Sequence, residues 1–390
     1  MSNLYSASRQ WASRPADERF ASLEEMYRVA REQFESATEA PDVQLNTLRV
    51  APTSTDVEDI VLTNPASGAE AAFTDWSFKQ TCSLIGAPAR YISGLPSGLA
   101  ARNLNNGLAK LSSDEVANLL LHKNGGRVFR GMNSNAYKRI WNFEVAEFGL
   151  ALREMDPNWR VPPARPAGIE GERVRIATEA DVLDLNSNFG LSVKVGDRIA
   201  PAGLYASSHD VFVFMVNQAR QIKAGTETLN RGFFISGSEV SGVTTHKIVT
   251  FYYDAVCGNH IVWGATNVHE FSFRHVGQLR QKVSAAYDAM KSFADASVEE
   301  DELRLGRARQ TLLADTKADV IDLVFDNGIF TRKDAAAAYA LAEEFEGIHG
   351  DPRSAWGFAS GATRLSQQTL YTDRRHELDR AAAKVLDLSL

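Results

Sequence analysis

Period-two alternation dominates the middle of the chain. Val249, Phe251, Tyr253, Ala255 and Cys257 share one face of an extended segment, while Ile248, Thr250, Tyr252 and Asp254 form a mixed opposite face. Cys257-Gly258-Asn259 supplies a turn, after which His269, Phe271, Phe273 and His275 alternate with Glu270, Ser272 and Arg274. Residues 172 to 277 are therefore expected to form a mainly antiparallel sheet. The periodicity changes after Gly277. Leu279, Val283, Tyr287 and Met290 follow helical spacing, a second helix is predicted between Glu300 and Phe325, a third over Asp334 to Phe345 capped by Thr331, and a last over Asp373 to Leu386. Near the start, Ser22 and Glu25 make a capping-box pattern ahead of Leu23, Met26, Val29 and Phe34. Residues 41 to 74 read as strands or a hairpin. Two short helices are expected next, one from Trp76 to Gly86-Ala87-Pro88 and one opened by Ser112 and Glu115. The proline-rich stretch from Pro157 to Pro166 reads as a connector.

These elements predict an α+β fold: a mainly antiparallel β core with flanking helices and a helical C-terminal region. Three parts are expected, namely an N-terminal arm and helix over 1–40, an α+β core domain over 41–277, and the helical region over 278–390. The apolar faces of the last part suit either a layer on the chain's own sheet or self-association, so a homo-oligomer is expected.

Composition narrows the function classes. With 42 Lys plus Arg against 49 Asp plus Glu, the net charge of −7 excludes a uniformly basic surface, so any nucleic-acid site must be local. Two cysteines, Cys82 and Cys257, exclude a disulfide framework and a four-cysteine zinc site. No run of eighteen apolar residues and no signal-type apolar core occurs, so a cytoplasmic protein without membrane association is expected.

Nucleotide-binding signatures of the P-loop and dinucleotide types are missing, as is a G-x-S-x-G nucleophile elbow. Cys257 and His260 have C-x-x-H spacing, but no second pair exists, and Cys257 continues an apolar strand face as a core thiol would. Ser208-His209-Asp210 are adjacent residues whose side chains diverge in an extended segment and so cannot form a triad. Asp181, Asp184 and Asp197 read as solvated loop residues. No metal or other cofactor and no catalytic residue is assigned. The strongest signal is electrostatic. No acidic residue lies between Glu115 and Glu144, whereas Lys123, Arg127, Arg130, Lys138 and Arg139 are cationic, with Phe129, Tyr137 and Trp141 interleaved. Cations neutralise phosphates and aromatic rings stack unpaired bases. The bland alternative is a solvated strand pair with its aromatics in the core.

Several pieces carry a family resemblance: Leu84-Ile-Gly-Ala-Pro-Ala-Arg-Tyr91, Asn135-Ala-Tyr-Lys-Arg-Ile-Trp-Asn142, Gly232-Phe-Phe-Ile-Ser-Gly-Ser-Glu-Val-Ser-Gly242, Val256-Cys-Gly-Asn259, Phe273-Arg-His275 and Ala355-Trp-Gly357. In their order they make residues 75 to 365 resemble the phage/plasmid-like protein family catalogued as domain of unknown function 932. Ser241 before Gly242 and His260 after Asn259 depart from the family pattern. The resemblance implies mobile-element biology, in the host cytoplasm if phage-encoded, but no reaction. It also implies an outline similar to single-strand annealing recombination proteins. The function expected is ATP-independent binding and annealing of single-stranded DNA. Lys123, Arg127, Arg130, Lys138 and Arg139 would hold phosphates, and Tyr137 or Phe129 would stack bases. The alternatives are an enzyme of phage nucleic-acid metabolism, using Ser236 to Gly242 with Cys257, Asn259 and His275, or an assembly or host-interaction factor.

Overall fold

The computed structural model describes residues 18–20, 22–53, 59–64, 69–123, 126–161, 163–164, 175–179, 182, 194–196, 198–201, 204–207, 210–224, 227–241, 246–254, 260–261, 270–368 and 372–389. The chain is α+β, with two large and mostly antiparallel sheets followed by a helical C-terminal region. Cys257, Asn259, Gly242, His269, Ser208, His209, Asp181, Asp184 and Asp197 lie outside the described residues.

Helix α1 (Leu23–Glu35) starts where expected, with the Ser22 hydroxyl accepting from the Glu25 N–H at 3.1 Å. Strands β1 (Thr38–Gln44), β2 (Arg49–Pro52), β3 (Ile60–Asn64) and β4 (Ala69–Phe73) follow. Helices α2 (Asp75–Leu84), α3 (Ala89–Ile92) and α4 (Ser97–Leu108) then precede the hairpin of β5 (Val116–Lys123) and β6 (Arg127–Asn133). The first sheet has six strands in the order β1-β5-β6-β4-β3-β2, with β4 and β6 parallel. One face of it forms a core with Cys82 of α2 and Ala100, Leu104 and Leu108 of α4. Burial pushes the Cys82 thiol up to about 11, as for an inert core cysteine.

The expected helix after Ser112 is a strand. The Ser112 N–H donates to Glu115 Oε1 at 3.1 Å, so the box chemistry forms, but it closes a turn leading into β5. Residues 116–123 are held extended because β1 and β6 pair on either side of them. The helix in this region is α4 instead.

Helix α5 (Asn142–Met155) leads to the short strands β7 (Trp159–Arg160), β8 (Pro163–Ala164), β9 (Arg175–Ile176) and β10 (Arg198–Pro201). The second large sheet comprises β11 (Leu204–Ala206), β12 (Val211–Ala224), β13 (Glu227–Gly237), β14 (His246–Asp254), β15 (His260–Ile261) and β16 (Glu270–Phe273), with β7 beside β12. All its pairings are antiparallel. Both of its faces are buried. Val213, Met215, Phe233, Ile235 and Ile248 meet α1 and α5 on one side, while Phe212, Phe214, Phe234 and Phe251 fill the other. Two-sided burial explains the unbroken apolar run from Val211 to Val216.

The tail contains α6 (Leu279–Asp295), α7 (Glu299–Gln310), α8 (Lys317–Asp326), α9 (Arg332–Glu344), α10 (Glu346–His349), α11 (Ala355–Gln368) and α12 (Thr372–Asp387). Where one helix was expected between Glu300 and Phe325 there are two, and α11 was not foreseen. Thr331 caps α9, accepting from the Asp334 N–H at 3.1 Å. The apolar faces of the tail turn inward. Leu279 and Val283 join the core of the second sheet, and Val320, Val324 and Trp356 pack in one cluster with Ile222, Leu229 and Tyr252 of that sheet. A buried ion pair pins the two layers, with Arg231 Nη2 of β13 donating to Asp301 Oδ2 of α7 at 2.9 Å.

Candidate functional site

The sequence-predicted cations divide into two sets with different chemistry. Arg130 lies in the middle of β6 and is 3% exposed. Its Nη2 donates to Glu239 Oε1 at 2.6 Å, with longer contacts to the Ser207 carbonyl and Gln33. Arg139 has a side chain only 7% exposed. It donates to the backbone carbonyl of Glu239 and, at 2.9 Å, to the carboxylate of Glu39. These two arginines therefore face the protein, not a phosphate. Tyr137 is likewise enclosed. One face of its ring stacks on His275 at 4.8 Å and 15°, and the Arg139 guanidinium stands 5.3 Å from its ring centre. Phe129 is fully buried between sheet and helices. Neither ring has a face open to a base, which corrects the stacking role expected of them.

Arg130, Arg139 and Tyr137 converge on one segment, Ser238 to Ser241, just after β13. The second Glu239 oxygen accepts the Asn142 N–H at 3.0 Å, at the start of α5, where the helix dipole favours an anion. Asn133 Nδ2 donates to the Val240 carbonyl at 2.7 Å, and the Tyr137 hydroxyl donates toward the carbonyls of Ser238 and Ser241 at 3.3 and 3.4 Å. The Val240 and Ser241 N–H groups turn back to Ser238 Oγ. His275 locks the other side: its N–H ring atom Nδ1 lies 3.0 Å from the Lys138 carbonyl, while the Lys138 N–H donates to the His275 carbonyl at 2.7 Å. Residues quoted above from Asn135–Asn142, Gly232–Gly242 and Phe273–His275 thus meet in space, as a polar clamp between the two sheets.

Burial sets the protonation of this region. His246, 1% exposed beside Gly237, is depressed to about 3 by desolvation first and by His275 second. His122 is depressed to about 4 by desolvation and the nearby Arg130 charge. Desolvation raises Tyr137 well above the ordinary phenol value, so it stays a neutral donor. Glu239 is the residue that the sequence reading missed as a site member. Its signal was present, for it is the lone carboxylate between Glu227 and Asp254.

Lys123, Arg127 and Lys138 form the second set, and all three are exposed. Lys123 and Arg127 are cross-strand partners at the end of the β5–β6 hairpin. None of the three side chains joins an ion pair among the described residues. No group of three or more His, Cys, Asp or Glu residues suited to a metal occurs among the described residues, and no described helix is long and apolar enough to cross a membrane. No known family, curated protein or solved structure matches the chain significantly.

Proposed function

We propose that the chain binds single-stranded nucleic acid without nucleotide hydrolysis and promotes annealing, as a phage- or plasmid-type recombination protein would. The observation that carries the reading is the exposed cations Lys123, Arg127 and Lys138, which join no ion pair among the described residues, in a stretch with no acidic residue from 116 to 143. Unpaired exposed cations are free to exchange counterions for phosphates. Arg130 and Arg139 are already matched by Glu239 and Glu39, which leaves Lys123 and Arg127 at the hairpin end and Lys138 beyond the other end of β6 as the cations for phosphate. Binding through the backbone alone fits the enclosure of Tyr137 and Phe129 and would leave base edges free to pair.

The test is fluorescence anisotropy of a labelled oligothymidylate across a salt series, with strand annealing followed by quenching. Replacing Lys123, Arg127 and Lys138 together by Gln should lower the slope of log affinity against log salt by about 2, at about 0.7 per lost contact. Absence of oligonucleotide binding by folded protein at low salt rejects the reading.

A further inference from the structure

The helix-covered face of the first sheet is not wholly covered. Beyond α2 and α4 a cavity of about 200 Å³ remains, walled by Ala40 and Val43 of β1, Leu62 of β3, Ala71 of β4, and Leu119 and Leu121 of β5. Thr38, Thr63 and Arg127 add the polar part of its lining, and no residue of α2, α3 or α4 contributes. Strand alternation puts Lys123 on the side of Leu119 and Leu121, and Arg127 on the side of Phe129. Two cations that join no ion pair among the described residues therefore stand together beside an aliphatic hollow. The carboxylates of the walling strands are engaged or placed elsewhere: Glu39 reaches Arg139, Asp42 accepts from Asn135 Nδ2, and Glu70 alternates with Ala71 on β4. No carboxylate lines the cavity among the described residues.

We propose that this cavity binds a small amphiphilic carboxylate, a single-ring or short-chain aliphatic acid. Its apolar part would lie among Leu62, Leu119 and Leu121, and its carboxylate would meet Arg127 and Lys123. The size agrees, because an apolar protein cavity of about 150 Å³ accepts benzene. A nucleobase is disfavoured, since its ring nitrogens and carbonyls would give up water for walls that offer almost no partners. The inference is thus separate from strand binding, although Arg127 and Lys123 serve both.

Octanoate and phenylacetate titrated into the full chain should bind saturably, with affinity about millimolar or tighter. In methyl-labelled protein, shifts should centre on Val43, Leu62, Leu119 and Leu121. Arg127→Gln with Lys123→Gln should weaken octanoate about tenfold, as loss of a charge-assisted hydrogen bond does, and leave octanol unchanged. Ala40→Phe, which fills the hollow, should weaken octanoate and octanol together while oligonucleotide affinity persists, so that failure of either proposal is told apart from the other. Where Ala40→Phe alters the unfolding transition, the wild-type methyl shifts decide. Lack of saturable binding, or shifts centred elsewhere, overturns the proposal.

Discussion

Replacing Arg130 by Met should cost the fold stability and leave the salt dependence of oligonucleotide binding unchanged. The side chain exposures of Arg130 and Glu239 are 4% and 8%, and the contact is 2.6 Å, so this is a desolvated pair. Removing one partner of such a pair costs about 3–5 kcal/mol, because the other charge is left buried without its match. The two halves should differ. After Arg130→Met, Glu239 keeps the Asn142 N–H at 3.0 Å and the positive end of α5, which together hold an anion with about 1–2 kcal/mol. The loss should sit at the low end, about 3 kcal/mol. After Glu239→Leu, the Arg130 guanidinium keeps, among the described residues, the Ser207 carbonyl at 3.4 Å and Gln33 at 3.5 Å, so the loss should approach about 5 kcal/mol. The double variant should cost less than the sum of the two, with a coupling of about 2–3 kcal/mol. Urea unfolding measures all three as shifts in midpoint at constant slope. If Arg130→Met moves stability by less than about 0.5 kcal/mol, as an exposed pair would, and flattens the salt slope, then Arg130 is a phosphate ligand and the clamp is wrong.

Two further outcomes follow from burial. His246 and His122 are depressed in the folded chain to about 3 and about 4, below the unfolded value of 6.5, so in acid the unfolded chain takes up protons that the folded one refuses. Their contribution is full above about pH 6.5 and is lost as pH falls toward the folded values. Between pH 6.5 and 5 stability should drop by about 2–3 kcal/mol, a loss that His246→Gln with His122→Gln should largely abolish; a flat or rising profile in that window refutes it. Trp356→Ala should cost about 3–5 kcal/mol, since the fully buried ring shares a cluster with Ile222, Leu229 and Tyr252 of the second sheet. Tail and sheet should still unfold in one calorimetric transition, and two separable transitions would show that the tail is an independent layer.

What the sequence made legible was local. The caps of Ser22 and Thr331 and the alternation of β14 and β16 need only a few neighbouring residues to be recognised, and they appear where the pattern puts them. The turn at Ser112 and Glu115 shows where that legibility ends: the side-chain bond forms, yet the element after it is a strand, because pairing with β1 and β6 outweighs a helix start. Helix α4 was hidden for the converse reason. Gly98, Asn103, Asn105, Asn106 and Gly107 are weak helix formers, and the helix is sustained by burying Ala100, Leu104 and Leu108 against the sheet. The candidate site obeys the same logic. A run of cations without carboxylates is compatible with an external anion or with an internal one supplied from far along the chain. For Arg130 the answer is internal, at Glu239, 109 residues away. Strand alternation sets Arg130 on the face opposite Arg127, three positions earlier, but nothing local tells that a carboxylate waits on that face. What separates them is that Arg130 is set in the middle of β6 facing the Ser238–Ser241 segment, while Arg127 ends the hairpin with no carboxylate in reach among the described residues. Unmatched charge, and not the abundance of charge along the segment, is therefore the property on which both proposed binding roles depend, and Lys123 and Arg127 at the hairpin end are common to both.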